Sequence, residues 1–395
     1  MKLLLIKIGK AIKVLKHDGF FMGSTRIMKY LINFFKTIFS RKSGDILIIT
    51  GGLGDSALYR SRHYADELNN NGLKCSTTVI NDPFLLKHAD NFKVFIFHRT
   101  LFTTKIEKFI NKIKESKKEI IFDTDDLVFD SRYLNQMDYL KEMNVLEKKQ
   151  YQKGVGEEIL NDPFVKVCTT TTSYLAEKLK ERNKQVFIVP NKLSDSDLKI
   201  AEEINKIRNS KFEIRNSIRL GYFSGTISHN KDFAVITDVL IEIMDKFPQV
   251  ALFLVGPLDL ESSLNKFKNR IKHLPYVPRH KHFENIAKVD INLAPLEIGN
   301  PFCESKSELK FFEAGILGVP TIAAATQTFI EAIEDGVDGF IANSTRDWIE
   351  KLQKLIENKD LRIEMGKKAR EKTLDKYTTK SAKNESYNQF LRNKL

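Results

Sequence analysis

One pattern constrains the fold of this chain more than any other. Short apolar segments that end in glycine or small polar residues alternate with longer helical segments. The first apolar segment covers residues 45–50 and ends in the loop Gly51-Gly-Leu-Gly-Asp55, and a helical segment follows at residues 56–69. A buried strand, a glycine turn and a helix open a nucleotide-binding α/β unit. Four more strands are expected in this half, at residues 94–97, 120–122, 165–169 and 186–189.

The same alternation starts again after Pro190-Asn191, and it predicts two parallel sheets with helices on both faces. Two doubly wound halves in one chain should face each other across a cleft, with ligands at the carboxyl ends of the strands. We therefore expect a Rossmann-like domain at residues 44–192, completed by a C-terminal helix at 376–395, and a second at 193–375. Strands of the second half are expected at residues 220–223, 251–255, 291–294, 321–324 and 339–342.

The first 43 residues differ in charge from the rest of the chain. They hold ten Lys or Arg and one acidic residue, which gives +9 and leaves +4 of the total +13 for the other 352 residues. Apolar residues at 28, 31, 35 and 38 and polar or basic residues at 26, 29, 33 and 36 recur at helical steps. This pattern predicts an amphipathic arm on an anionic membrane surface, and the alternative is a helix that packs on the body and exposes its lysines.

The charge distribution and the cysteines bear on partners and on the compartment. A basic arm on a nearly balanced body disfavours nucleic acid as a partner. Cys75, Cys168 and Cys303 lie far apart without a CxxC pair, so we expect no disulfide framework and no zinc site. We expect a cytoplasmic protein, peripheral at the inner face of the cell membrane.

The segment at residues 290–320 carries the strongest chemical signal. A predicted strand leads into a loop, and a helix is expected to begin near Ser305 or Ser307. Lys306, Lys310 and Glu313 would then share one helix face, where two lysines suit a diphosphate and a carboxylate suits a ribose diol. The alternative is a solvated face of salt bridges.

This segment resembles the donor-binding region of the retaining glycosyltransferases of family 4, which have the GT-B fold, and it looks closest to bacterial members that build surface polysaccharides. The resemblance covers residues 44–385. It implies that Glu313 holds the ribose of the donor nucleotide, that Lys231 contacts its diphosphate, and that Gly51 and Gly52 let backbone approach phosphate and sugar. Other similar pieces are the segment 221–226 with Ser224, Gly225 and Thr226, then His229 and Asp232, the segment 254–257 and the segment 333–339.

The sequence departs from the family at two positions. Many members have a second glutamate at the place of Ser305, whereas here Glu304 stands one residue earlier. A basic residue common after the first strand of the second domain is replaced by Gly225. Glu304 is therefore a candidate donor-binding residue, and Lys306 and Lys310 are candidates to supply the missing positive charge.

The first half offers candidate catalytic residues after two strands. Asp123 and Asp125 form a DxD tripeptide, for which we expect no metal because the second half already offers a cationic phosphate site. Asp125 and Asp126 could bind acceptor hydroxyls, and the alternative for Asp126 is a helix cap. His98 resembles a histidine that contacts the transferred sugar in the family.

These observations predict a metal-independent glycosyltransferase without a cofactor, which transfers a sugar from a nucleotide-diphosphate donor to a glycan or lipid-linked acceptor, with retention, in the synthesis of cell-surface glycans. Two other classes remain open. A sugar-nucleotide epimerase can use the same architecture without an acceptor, and a non-catalytic scaffold with a degraded donor site would fit the departures at Ser305 and Gly225.

Overall fold

The computed structural model describes residues 19–54, 57–136, 143, 145–210, 217–225 and 230–395, and also residues 9, 11, 12 and 15. The chain forms two compact units. The first contains Met1–Lys192 and Ala382–Leu395, and the second contains Leu193–Ser381. The chain therefore returns to the first unit at Ala382, whereas the sequence analysis placed this return at 376. Thr226 and His229 lie outside the described residues.

The first unit is built on a parallel six-stranded sheet in the order β2-β1-β3-β4-β5-β6. The central strands are apolar and buried on both faces because helices cover both sides of a parallel sheet. β1 pairs with β3 so that Thr50 lies beside His98, and β3 pairs with β4 so that His98 lies beside Asp123. The six strands are β1 Ile46–Thr50, β2 Cys75–Val79, β3 Val94–His98, β4 Glu119–Thr124, β5 Val167–Thr170 and β6 Gln185–Ile188.

Helices connect these strands, and two of the connecting helices begin at side-chain caps. Thr103 Oγ1 accepts a hydrogen bond from the Ile106 amide at the start of one helix, and Thr172 Oγ1 accepts one from the Leu175 amide at another. A π-helical segment, Leu58–His63, precedes α2. The helices are α1 Phe20–Phe39, α2 Tyr64–Asn70, α3 Leu85–Asn91, α4 Thr104–Glu115, α5 Val145–Tyr151, α6 Glu157–Leu160, α7 Ser173–Lys180 and the C-terminal helix Glu385–Arg392, and two 3₁₀ segments are Leu127–Phe129 and Ser131–Gln136.

The C-terminal helix belongs to the core of the first unit. Tyr387 is buried, and its hydroxyl lies 2.6 Å from that of Tyr64 on α2. Leu391 packs with Ile46 and Ile48 of β1 in the same apolar cluster. This burial explains why the chain end folds with the first unit.

The second unit repeats the architecture with the strand order β12-β11-β10-β7-β8-β9, again parallel. The strands are β7 Ile218–Phe223, β8 Val250–Val255, β9 Ile271–Leu274, β10 Ile291–Ala294, β11 Thr321–Ala324 and β12 Phe340–Ala342. The helices are α8 Asp195–Ser210, α9 Asn230–Ala234, α10 Thr237–Lys246, α11 Arg279–Ile286, α12 Pro301–Glu304, α13 Leu309–Gly315, α14 Gln327–Ala332, α15 Thr345–Glu357 and α16 Lys359–Lys376, with a 3₁₀ segment at Ser262–Arg270.

The α/β fold with two Rossmann-like sheets is confirmed, and ten of the twelve strands were expected from the sequence. The two strands that the sequence analysis missed, β2 and β9, lie at sheet edges, and polar residues interrupt their apolar ones: Ser76, Thr77 and Thr78 in β2, and Lys272 and His273 in β9. A strand without a continuous apolar run leaves a weaker signal in the sequence. Within the described part of the chain, no helix has both the length and the apolarity needed to cross a membrane.

Candidate functional site

In the first unit, polar side chains gather where β1, β3 and β4 end. His98 ends β3, and Asp123 lies beside it in the register of β4. The two side chains are buried, with 2.9 Å between His98 Nδ1 and Asp123 Oδ2. Because a carboxylate only accepts, His98 carries a proton on Nδ1 and its Nε2 is directed elsewhere. That nitrogen lies 3.8 Å from Asp125 Oδ1.

Asp123 is the hub of this buried network. Its second partner is the guanidinium of Arg60, which donates from Nε to Oδ2 at 3.1 Å and from Nη2 to Oδ1. Thr169 Oγ1 also donates to Oδ1 at 2.7 Å. Burial alone would raise the pKa of Asp123, but Arg60 and His98 hold it below its ordinary value. The carboxylate is therefore ionised and enclosed by protein donors.

This arrangement bears on the DxD tripeptide. Asp123 is fully buried, and each of its oxygens already accepts two hydrogen bonds from protein groups. Asp125 accepts from Arg99 Nε at 2.6 Å. The two carboxylates are thus bound to different cations, which does not favour a shared metal ion.

Asp126 has the capping role that the sequence analysis gave as its alternative. Its Oδ1 accepts from the Leu127 amide at 2.8 Å at the start of the segment Leu127–Phe129. Its Oδ2 accepts from Arg99 Nη2 at 3.2 Å. Arg99 therefore bridges Asp125 and Asp126, and it has a positive φ of 43° directly after β3.

The Gly51 backbone is part of the same end of the sheet. Its amide donates to the His98 carbonyl at 3.0 Å. A Cβ at this position would lie 2.1 Å from the Arg99 carbonyl oxygen, so only glycine fits here. At Gly52 a Cβ would meet no atom within 4 Å, which leaves open space beside the backbone. The two glycines thus have different roles.

In the second unit, the candidate residues meet at the end of β7. Phe223 is the last residue of that strand, and its carbonyl accepts from Lys310 Nζ at 2.7 Å. Its ring lies 5.6 Å from the ring of His282 on α11. His282 Nε2 in turn lies 3.1 Å from Glu313 Oε2. Lys310 and Glu313, both on α13, are therefore close to the same strand end.

Glu313 has partners that the sequence analysis did not expect. Its Oε1 accepts from Arg279 Nη1 at 3.1 Å, and its Oε2 contacts His282. Arg279 also donates from Nε to Asp197 Oδ1 at 2.5 Å. Arg279 and His282, both on α11, are therefore partners of this carboxylate.

Lys310 is half-buried. Its ammonium lies 5.1 Å from the centre of the Tyr222 ring. Burial lowers the pKa of Lys310, although Asp232 and Glu313 oppose the shift. An ammonium has three N–H donors, and one of them donates to the Phe223 carbonyl. The ammonium can therefore also donate to an anionic ligand at the end of β7.

Lys306, Lys310 and Glu313 were predicted to share one helix face, and this prediction is wrong for Lys306. Two short helices replace the single expected one, and α13 begins only at Leu309. Lys306 lies between them and places its ammonium 5.8 Å from the centre of the Phe302 ring. The buried Ser305 donates to the Phe302 carbonyl at 2.8 Å and so closes the first of the two helices.

Glu304 and the residues after β7 take different positions. Glu304 accepts from the amides of Gly299 at 2.9 Å and Gln327 at 3.0 Å, so it joins two loops. Ser224 is buried and its amide donates to Val255, whereas Gly225 is exposed. Lys231 is exposed on α9.

The sequence analysis did not identify four basic residues of these sites, which are Arg60, Arg99, Arg279 and His282. The second unit had one usable signal, because Arg279 and His282 stand in a basic run that opens α11 directly after Pro278. Cations are unfavourable at a helix N-terminus, so such a run indicates an anionic partner elsewhere in the fold. Arg60 and Arg99 had no comparable signal, since their partners are distant in sequence.

Comparisons with known proteins agree with this architecture. A family model described as "Glycosyl transferase-like" matches residues 238–384. The Anabaena protein Alr3699/HepE, solved in complex with UDP, superposes with a TM-score of 0.58 at 14% identity, covering 88% of this chain and 98% of that one. Sucrose-phosphate synthase from Thermosynechococcus elongatus gives 0.59 at 13% identity, covering 89% and 100%. No curated protein sequence matches the chain.

A third solved structure, a glycosyltransferase from Rickettsia africae, gives a TM-score of 0.58 at 12% identity and covers 89% of this chain and 99% of its own. At such identities the likeness shows the fold, which is the GT-B architecture of two Rossmann-like units. The family match begins within the second unit, at residue 238, and includes Lys310 and Glu313.

Proposed function

We propose that this protein is a glycosyltransferase whose second unit binds a nucleotide-diphosphate sugar and whose first unit binds the acceptor. One observation carries the proposal. Lys310 and the Glu313–Arg279–His282 cluster lie together at the carboxyl end of β7, where doubly wound sheets bind their ligands. The similar Anabaena protein Alr3699/HepE was solved in complex with UDP, which supports a nucleotide-diphosphate donor.

Each group has a role in this proposal. Glu313 accepts from Arg279 Nη1 at Oε1 and lies 3.1 Å from His282 Nε2 at Oε2, and a carboxylate is the group type that accepts hydrogen bonds from a ribose diol. Arg279 and His282 keep the carboxylate oriented. Lys310, with Lys231 and Lys306 as further candidates, would stabilise the charge that develops on the departing diphosphate.

In the reaction, the bond between the sugar C1 and the diphosphate oxygen breaks, and a bond forms from C1 to an acceptor oxygen. The acceptor hydroxyl loses its proton, and the diphosphate leaves with the bonding electrons. We propose retention of configuration and a glycan or lipid-linked acceptor. His98, Asp125 and Asp126 are the candidate groups on the acceptor side, with Asp123 and Arg60 fixing the imidazole of His98.

We also propose that the reaction needs no divalent metal, because cationic side chains supply positive charge at the donor site. The buried hydrogen bonds of Asp123 further support this view of the DxD tripeptide.

Titration of UDP and UDP-sugars into Glu313→Gln tests the donor site. The amide keeps the size of the side chain but removes its charge and half of its accepting capacity. Charge-assisted hydrogen bonds contribute about 1.5–3 kcal/mol each, so we expect donor affinity to fall about tenfold to a hundredfold. Glu371→Gln is the matched control, since Glu371 is a half-exposed partner of Lys368 on α16. Glu308, buried beside Tyr377, is unsuitable as a control.

Release of nucleotide diphosphate separates the remaining classes of function. A transferase releases it faster when an acceptor is added, an epimerase converts the sugar without releasing it, and a scaffold does neither. A folded Glu313→Gln protein with unchanged affinity for every donor tested would refute the assigned role of Glu313. A lower melting temperature with unchanged affinity would show that Glu313 is a structural ion pair with Arg279.

A further inference from the structure

Helix α1, Phe20–Phe39, presents three different faces. One face lies on the body of the first unit, where α1 contacts the edge strand β2. Gly23 and Ile38 are buried there, and Ile27 and Phe34 are half-buried. The chain after the helix is tied to the same strand, because Ser76 Oγ donates to the Ser43 carbonyl at 2.7 Å. The helix is therefore docked and has a defined orientation on its unit.

This orientation corrects the face expected from the sequence. Ile38 was assigned to the apolar face that meets a membrane, whereas the structure turns it toward the body. Docking uses only part of the apolar surface, and a separate apolar stripe remains at the surface. Its members recur at steps of seven, four, three and four, which places them on one side of the helix. They are Phe21, Met28, Ile32, Phe35 and Phe39, exposed by 86%, 58%, 46%, 53% and 69%.

A row of cations runs beside the stripe. Arg26, Lys29 and Lys36 recur at steps of three and seven, and all three are exposed. The helix contains no acidic residue. The outer surface of α1 thus combines large apolar side chains with positive charge only.

We infer that this stripe inserts into the interface of an anionic lipid bilayer. Apolar side chains at such an interface enter the boundary between headgroups and acyl chains, and adjacent lysines and arginines attract anionic headgroups. A second copy of the chain is a poorer occupant, because it would bring the same cations together without an acidic group on either helix. The charge complementarity selects the lipid surface.

The inference is independent of the proposed transferase activity, since it concerns a different surface and a different ligand. Under the proposed function, it would place the acceptor-binding unit at a membrane. An acceptor anchored in lipid would then meet the enzyme by diffusion in two dimensions.

Co-sedimentation with vesicles tests the inference on the full chain. Vesicles of phosphatidylcholine are compared with vesicles that also contain phosphatidylserine. We expect wild-type protein to bind the anionic vesicles more tightly and to lose this preference at high salt, because exposed charges are screened. The variant Phe21→Ser/Phe35→Ser/Phe39→Ser should lose binding by about a hundredfold while its melting temperature stays near that of the wild type, because all three rings are exposed.

Two further variants sharpen the result. Lys29→Gln/Lys36→Gln should lower binding to anionic vesicles by about fivefold per lysine and leave weak binding to neutral vesicles unchanged. Ile330→Ser/Ile363→Ser removes exposed apolar side chains from the second unit and serves as the control, with binding expected to match the wild type.

Equal sedimentation of the wild type and the triple phenylalanine variant would overturn the inference. So would a wild-type protein that ignores both kinds of vesicle and forms dimers that the triple variant cannot form, as measured by analytical ultracentrifugation. That result would assign the stripe to a second copy of the chain.

Discussion

The guanidinium of Arg60 and the carboxylate of Asp123 form a fully buried pair joined by two hydrogen bonds. Arg60 also donates from Nη1 to the Val189 carbonyl at 2.6 Å, which links the segment after β1 to the end of the sheet's last strand. Because Asp123 holds His98 as well, one ion pair positions a strand end, a helix and a candidate catalytic ring.

Asp123→Asn should destabilise the first unit strongly. The substitution leaves Arg60 buried without its counter-charge, and breaking such a pair costs about 3–5 kcal/mol. Urea denaturation measures the loss in free energy of unfolding. Asp245→Asn removes the exposed partner of Lys266 and should change that free energy by less than about 0.5 kcal/mol. Equal stability of the two variants would contradict the role of the buried pair.

The same pair makes stability depend on acid pH. Burial alone would raise the pKa of Asp123, but Arg60 and His98 hold it below the ordinary value of 3.8. A depressed folded-state pKa stabilises the fold above the unfolded-state pKa, and this contribution is lost as pH falls through the folded-state value. We expect the free energy of unfolding to decline below about pH 4. The decline should be smaller in Asp123→Asn and unchanged in Asp245→Asn, and identical slopes in all three proteins would contradict this.

The two neighbouring glycines should respond differently to alanine. Gly51→Ala places a methyl group against the Arg99 carbonyl oxygen, and forcing such a contact costs about 1–3 kcal/mol. Gly52→Ala should leave the melting temperature unchanged. If phosphate or sugar approaches this loop, as the family resemblance implies, Gly52→Ala should still lower turnover. Unchanged turnover in a folded Gly52→Ala protein would exclude a close approach of the ligand there.

The sequence predicted the parts of this molecule that depend on local pattern. Central strands such as β10 and β11 are mostly apolar and were placed with their observed bounds. β2 and β9 were missed because polar residues interrupt their apolar ones, whereas β6 and β12 at the opposite sheet edges were expected. Single-helix geometry was assumed for residues 305–315, but a break before Leu309 removed Lys306 from the expected face.

The sequence identified the acidic residues of the candidate sites better than their basic partners. Glu313, Asp125 and Asp126 stood in recognisable positions after predicted strands or within a family-like motif. Their partners, Arg279 and Arg99, are separated from them by 34 and 26 to 27 residues. Such pairs depend on how helices pack against the sheet, which hydrophobic periodicity does not specify.

Because Lys310 must be charged to bind the donor, the affinity for the donor should fall at alkaline pH. Burial lowers the pKa of Lys310 below its ordinary value of 10.5 despite Asp232 and Glu313. Because only the ammonium form attracts phosphate, affinity for UDP should fall as pH rises through this lowered pKa, and binding should take up a proton there. Calorimetric titration in buffers of different ionisation enthalpy measures both effects. Lys310→Met should bind weakly without this pH dependence, whereas Lys266→Met should behave like the wild type.

The last prediction concerns metal. Among the described residues, Asp232, Glu297 and Cys303 form a group whose potential ligand atoms lie within 4.8 Å of one another. Burial, together with the nearby Asp232, raises the pKa of the Cys303 thiol. The thiol donates a hydrogen bond to Asp232 Oδ1 at 3.1 Å. A metal ion at this group would have to displace the thiol proton and its hydrogen bond to Asp232. We therefore expect EDTA to leave turnover unchanged and Cys303→Ala to remain active. Loss of turnover in EDTA with recovery in manganese would assign a metal to the reaction. If manganese failed to restore turnover in Cys303→Ala, the metal would lie at this group.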